Sequence, residues 1–185
     1  MKEERLPISI DPVRFSKAKR VCHGRVKLSE LPRLLESLAP GAEEKIVEAE
    51  MGFSVDEESR VVIEIKVKTV LLLVCQRCLG HFELPVIIQH LLAPVQGFDE
   101  AEKLPTHLDP CWLKEGVVSP LELVEEELLL AIPLVPMHDE KECENAGILE
   151  HLAFETQRSF SAESAGKEPR NLANPFSVLS DLKHK

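Results

Sequence analysis

Apolar and polar residues alternate over two stretches of this chain, and that period of two predicts a central pair of strands. Ile46, Glu48 and Glu50 fall on one face and Val47, Ala49 and Met51 on the other, and the run from Val61 to Val70 repeats the pattern. Successive side chains of a strand point to opposite faces, so each run reads as a half-buried strand. Asp56-Glu57-Glu58-Ser59 supplies the turn between them, which makes the pair antiparallel. Leu71-Leu72-Leu73-Val74 carries the second run on to Cys75, and a third strand-rich segment spans His81 to Leu92. Pro85 lies inside that segment; it cannot donate a ladder hydrogen bond and therefore marks an edge or a bulge. Upstream, Leu6 to Ile10 reads as a short edge strand ended by Asp11-Pro12, and Gly24 as a turn before strand-like Val26-Lys27-Leu28. Ser29 reads as the cap of a short helix over Glu30 to Leu38.

At Ser119 the period becomes helical. Ser119-Pro120-Leu121-Glu122 has the form of a capping box with proline at the first helical position. Leu121, Val124, Leu128 and Ile132 make an apolar stripe, Glu125, Glu126 and Glu127 read as a solvated face, and Pro133 stops the helix. Between Pro94 and Ser119, Gly97, Pro105, Pro110 and Gly116 predict a long loop. The fold class expected is α+β: a mainly antiparallel sheet packed by one or two helices and carrying a zinc knuckle. One domain is expected over residues 1–150. Residues 151–185 drift towards Ser, Ala, Glu, Gly and Pro and read as a flexible C-terminal extension. It ends in a short docking tail with Phe176, Leu179 and Leu182 at helical spacing.

Composition narrows the class. With 44% hydrophobic residues and a mean hydropathy of -0.07, the chain is that of a globular protein. No apolar run approaches the ~18 residues of a membrane span, and Met1-Lys2-Glu3-Glu4-Arg5 lacks the apolar core of a secretory signal, so a cytoplasmic location is expected. Five cysteines with a single CxxC pair suit a reducing compartment.

The net charge of -10 is unevenly spread. Residues 1–35 carry nine Lys/Arg against four Asp/Glu, whereas residues 36–163 carry nine against 26. An acidic body repels phosphate, so any direct nucleic-acid contact is assigned to Arg14, Lys17, Lys19, Arg20 and Arg25. The plainer alternative is that this basic segment is a solvated edge. One tryptophan and no tyrosine give little material for a base-stacking platform.

The strongest chemical signal is Cys75-Gln76-Arg77-Cys78, followed by Leu79-Gly80-His81. A tight CxxC turn presents two thiolates to one metal while later ligands come from another element. His138 and Cys143 suit that role because Pro133 and Pro136 turn the chain out of the helix. Cys75, Cys78, His138 and Cys143 are thus the metal-ligand candidates, with zinc the single cofactor implied and Cys111 and His81 in reserve. The competing account is a pair of reduced thiols in a sheet turn. Redox dithiols start a helix, where the dipole lowers the thiol pKa, whereas here the chain runs into a strand. No HExxH, GxGxxG or GxxxxGK occurs, and neither catalysis nor a small-molecule substrate is expected.

Four pieces, in this order and spacing, carry a family likeness: Leu6-Pro7 with Asp11-Pro12-Val13-Arg14; Cys75-Gln76-Arg77-Cys78; Val124 to Pro133 with Pro136 and His138-Asp139; and Asn174-Pro175-Phe176-Ser177-Val178-Leu179. Over nearly its full length the chain resembles the YceD-like family of large ribosomal RNA subunit accumulation proteins. The resemblance implies a bacterial cytosolic, non-catalytic factor needed for synthesis, processing or stability of large-subunit ribosomal RNA. It would meet that RNA, or a ribosome assembly intermediate, directly or through a protein partner. Family members outside the branch that this chain resembles often carry a denser cysteine cluster after the helix, of which only Cys143 and His138 remain here. The rival from another class is a thiol- or metal-dependent regulatory or redox protein centred on the CxxC pair.

Overall fold

The alternating runs fold into one sheet. The structure, a computed structural model, describes residues 5–139 and 142–143. The chain divides into two compact units, residues 1–139 and 140–185, and the fold described is that of the first. The expected extension and docking tail at 151–185 lie outside the described residues.

Five strands, β1 (Val21–Lys27), β2 (Ile46–Val55), β3 (Val61–Val74), β4 (His81–Val95) and β5 (Asp109–Trp112), pair in chain order. All neighbours are antiparallel except β4 and β5, which are parallel. Val47, Ala49, Met51 and Phe53 of β2 face the core with Ile63, Ile65, Val67, Leu71 and Leu73 of β3, as the period of two requires. The connecting turn is held by Asp56, whose carboxylate accepts from the backbone N–H of Glu58 (2.9 Å) and Arg60 (2.8 Å). β4 pairs with β3 over His81–Leu92, while β5 covers its other side only at Leu92–Val95. Pro85 therefore sits where β4 has no second strand beside it, as its missing donor demands.

Four helical segments are described: α1 (Pro12–Lys17), α2 (Pro32–Leu35), α3 (Phe98–Ala101) and α4 (Pro120–Ala131), with a 3₁₀ turn at Leu28–Glu30. α4 begins as its sequence dictates, Ser119 accepting from the N–H of Glu122. Glu122 does not complete the box; its carboxylate meets Lys114 Nζ at 2.6 Å.

Several expectations need correction. Leu6–Ile10 is not a strand, since only Ile10 pairs, in an isolated bridge with Val118. Asp11-Pro12 does not end an element but starts one: Asp11 caps α1 through the N–H of Arg14 (3.0 Å), with Pro12 at the first helical position. Gly24 lies inside β1 rather than in a turn. A Cβ there would fall 2.5 Å from Leu6 Cγ, so the glycine admits the chain crossing over the strand. The helix expected over Glu30–Leu38 is confined to Pro32–Leu35. The loop expected between Pro94 and Ser119 contains α3 and β5.

The glutamate run is the largest departure. Glu125 and Glu127 are only 6% and 7% exposed. Glu125 accepts from the N–H groups of Arg33 (2.8 Å) and Leu34 (3.2 Å) at the start of α2, and Glu127 meets His90 Nδ1 at 2.5 Å. The core face of α4 is Pro120, Leu123, Val124 and Leu128. Their spacing of i, i+3, i+4 and i+8 places Glu127 in the buried stripe at i+7.

Candidate metal centre

The β3–β4 hairpin ends in a knuckle made from its own backbone. Cys75 N–H donates to Gly80 O and Leu79 N–H to Cys75 O, both at 2.9 Å, closing Cys75–Gly80 into a tight turn. The turn requires a left-handed residue, and Leu79 supplies it at φ 61°. The chain leaving α4 is pinned alongside, with Gln76 N–H donating to Pro136 O at 2.8 Å and Arg77 Nη2 to His138 O at 3.2 Å.

These contacts bring His138 to Cys75 and Cys78. One ligand atom from each of Cys75, Cys78, His138 and Cys143 lies within 4.8 Å of all the others. Cys78 Sγ is 3.4 Å from His138 Nδ1, while His138 Nε2 stands 3.3 Å from His81 O. A carbonyl holding the outer ring nitrogen fixes the tautomer that offers Nδ1 to a metal.

The donor set fits zinc. A tetrahedral shell with Zn–S near 2.3 Å has ligand-to-ligand edges of roughly 3.8 Å, a small contraction from the observed spread. Burial alone would raise the Cys75 pKa, but the backbone N–H groups of Cys78, His138 and Arg77 and the side chain of His138 outweigh it and bring it to about 5. Gly80 N–H donates likewise to Cys78 Sγ at 3.4 Å. Amides aimed at sulfur stabilise thiolate, the form a metal binds. Three cysteines and one histidine complete a four-ligand shell, the pattern of a structural rather than a catalytic zinc site.

Neither reserve ligand joins the cluster. Cys111 is buried on β5, where desolvation, with Glu126 and Glu127 beside it, pushes its thiol up to about 12. His81 contributes only its carbonyl, to His138.

The basic candidates divide. Arg14 and Lys17 are exposed on α1, and Lys19, at φ 46°, and Arg20 follow in the turn. Arg20 lies over the Phe15 ring at 5.1 Å from its centre. Arg25 projects from β1 and pairs with Glu48 across the sheet (3.6 Å). Arg14, Lys17, Lys19 and Arg20 have no carboxylate partner among the described residues.

A mainly antiparallel sheet backed by a capped helix, with a Cys₃His cluster at its longest hairpin, defines an α+β protein with the donor set of a structural metal site. No solved structure matches it. The family described as large ribosomal RNA subunit accumulation protein YceD matches residues 63–183, and the chain belongs to that family. It is 32% identical over 186 residues to the large ribosomal RNA subunit accumulation protein YceD of Haemophilus influenzae, covering all of both chains. Among the described residues no helix is long and apolar enough to cross a membrane.

Proposed function

We propose that this protein is a non-catalytic cytoplasmic factor that supports accumulation of large-subunit ribosomal RNA, touching RNA or an assembly intermediate through α1 and the turn after it. Family membership supports the general role. The observation that carries the RNA contact is the set Arg14, Lys17, Lys19 and Arg20: adjacent, exposed and without carboxylate partners among the described residues. Cations already satisfied by carboxylates gain little from phosphate, whereas unpaired ones release counterions from RNA at little cost. Arg25 belongs to the same basic segment, but its pairing with Glu48 makes it the weakest contributor. The Cys₃His cluster serves this reading as a zinc-held clamp that fixes the hairpin against the segment leaving α4. A redox role has less support, since Cys75 is fully buried and the knuckle leads into β4 rather than a helix.

The test is binding to a large-subunit ribosomal RNA fragment across a salt series. Reversing Lys17, Lys19 and Arg20 to Glu should abolish binding with the melting curve unchanged. Single neutralisations should each lower the salt slope by ~1. Wild-type affinity in the triple variant would remove α1 from the interface.

A further inference from the structure

A cleft of about 530 Å³ opens at the end of the sheet beside α1, within the ~300–1,000 Å³ of sites that take small organic groups. Val13 of α1, Val61 and Val95 of β3 and β4, and Leu104 and Leu113 give it apolar walls. Arg60, Glu100 and Lys103 line it too, and two of these three are already satisfied. The Arg60 guanidinium is held by Asp56 at 2.8 Å and by Glu58 at 2.9 Å, and the Glu100 carboxylate accepts from the backbone N–H of Gln96 at 2.8 Å. Asp99 and Glu102 do not line the cleft. Its interior therefore has little unbalanced charge for an ionic ligand, and apolar walls beside a fixed planar guanidinium suit a flat, neutral group.

The free charge belongs to the rim. Lys103 is exposed and has no carboxylate partner among the described residues. On α1, Lys17 stands one turn beyond Val13, the i, i+4 spacing that puts two side chains on one face, and it too is exposed and without a carboxylate partner among them. Gln96 also lines the cleft; its side-chain amide is exposed and unbonded among the described residues, leaving a donor and an acceptor for a polar edge. A flat, neutral group with a hydrogen-bonding edge, joined to anions that stay outside the cleft, is a nucleotide in a strand whose bases are unpaired.

We infer that this cleft takes an unpaired RNA base, stacked on the Arg60 guanidinium, with the flanking phosphates on Lys17 and Lys103. The inference rests on the reading of α1 as the RNA-contacting element and adds the form of RNA which that element selects, single-stranded rather than paired. A shortage of aromatic residues is no obstacle, because guanidinium planes stack on bases as aromatic rings do. In a duplex the bases stack on one another, and only phosphates would reach α1.

The probes are a fluorescent single-stranded RNA of mixed sequence without self-complementarity, the same strand annealed to its complement, and a strand of equal length built from stable abasic spacers. Each is titrated against the full chain at one salt concentration. The single strand should bind about tenfold tighter than the abasic strand, the scale of one base packed on a protein, and tighter than the duplex. Arg60→Lys keeps the cation and loses the plane, so the preference for bases should fall away. Val13→Asn, which leaves the charges and the Asp56 turn in place, should narrow the same preference. Lys103→Ala should lower the salt slope for the single strand by ~1. Equal affinity for base-bearing and abasic strands, or a duplex that binds tighter than the single strand, overturns the inference while leaving α1 as the phosphate contact. So does a preference that survives in both Arg60→Lys and Val13→Asn. The other failure looks different: if reversing Lys17, Lys19 and Arg20 to Glu leaves all three probes bound as in wild type, or if wild type binds none of them, α1 is not the RNA contact and this inference falls with it.

Discussion

Glu125 caps a helix 92 residues away in sequence, its Oε1 accepting from the backbone N–H of Arg33 at 2.8 Å. α2 has no side-chain cap of its own at Leu31, so Glu125 satisfies donors that helix starts otherwise leave without partners. It also accepts from Leu34 N–H at 3.2 Å, and its other oxygen approaches Arg33 Nε at 3.4 Å. Glu125→Ala should therefore destabilise the protein by about 2 kcal/mol in denaturant unfolding, the scale of buried bonds to a charged acceptor. Glu125→Gln keeps one acceptor oxygen and should lose less. Equal losses for the two would show that the charge of the carboxylate, not its packing or a retained acceptor oxygen, carries the stabilisation.

Gly24 and Leu6 give a steric prediction. With a Cβ only 2.5 Å from Leu6 Cγ and 2.8 Å from Leu6 N, Gly24→Ala must move the backbone of the crossing segment as well as a side chain. The expected loss is about 1–3 kcal/mol. Leu6→Ala in the same chain removes the side-chain part of the clash, so the double variant should lose less than the two single losses added. Strict additivity would show that the two residues do not meet.

What was legible in the sequence was what is local. β2, β3, the turn at Asp56 and the cap at Ser119 follow from side-chain period and near neighbours. So does the knuckle, because Cys75 and Cys78 share one turn and the prolines after α4 bring His138 back. Non-local pairings were hidden. β5 joins β4 in parallel, a contact no residue spacing announces. Glu125 looked like a surface acid because its partners lie 91 and 92 residues away. Asp11-Pro12 was ambiguous in itself, the same two residues serving to end a strand or to begin a helix. Glu127 could have been found, since it occupies the i+7 position of a stripe whose other members are buried.

The Asp56 turn makes folding sensitive to acid. Backbone and side-chain hydrogen bonds from Arg60 hold the Asp56 carboxyl below its ordinary value of 3.8, with Glu58 N–H adding to them. A carboxyl with a lowered folded-state pKa stabilises fully above its unfolded value and loses that contribution as the pH falls through the folded one. Unfolding followed from pH 6 downward should show this loss beginning near pH 4. Asp56→Asn should flatten that part of the curve. An unchanged acid limb in Asp56→Asn would assign the sensitivity to other carboxylates.

The last prediction concerns the metal. If Cys75, Cys78, His138 and Cys143 act as one shell, protein purified without chelator should hold close to one equivalent of zinc, and its removal should lower the melting temperature, because a site absent from the unfolded chain adds its binding energy to folding. Cys75→Ser should lose the metal and the stability together, since Cys75 is the fully buried ligand on which the backbone N–H groups of Arg77, Cys78 and His138 converge. Cys111→Ser should keep the zinc, because Cys111 lies on β5 among core residues rather than in the cluster. Cobalt substitution adds a check on the donor set: a tetrahedral site with three thiolates should give intense thiolate-to-cobalt absorption that weakens in Cys78→Ser and Cys143→Ser. Zinc-free protein that melts like the zinc-supplemented sample would leave the knuckle as a hydrogen-bonded turn of reduced thiols.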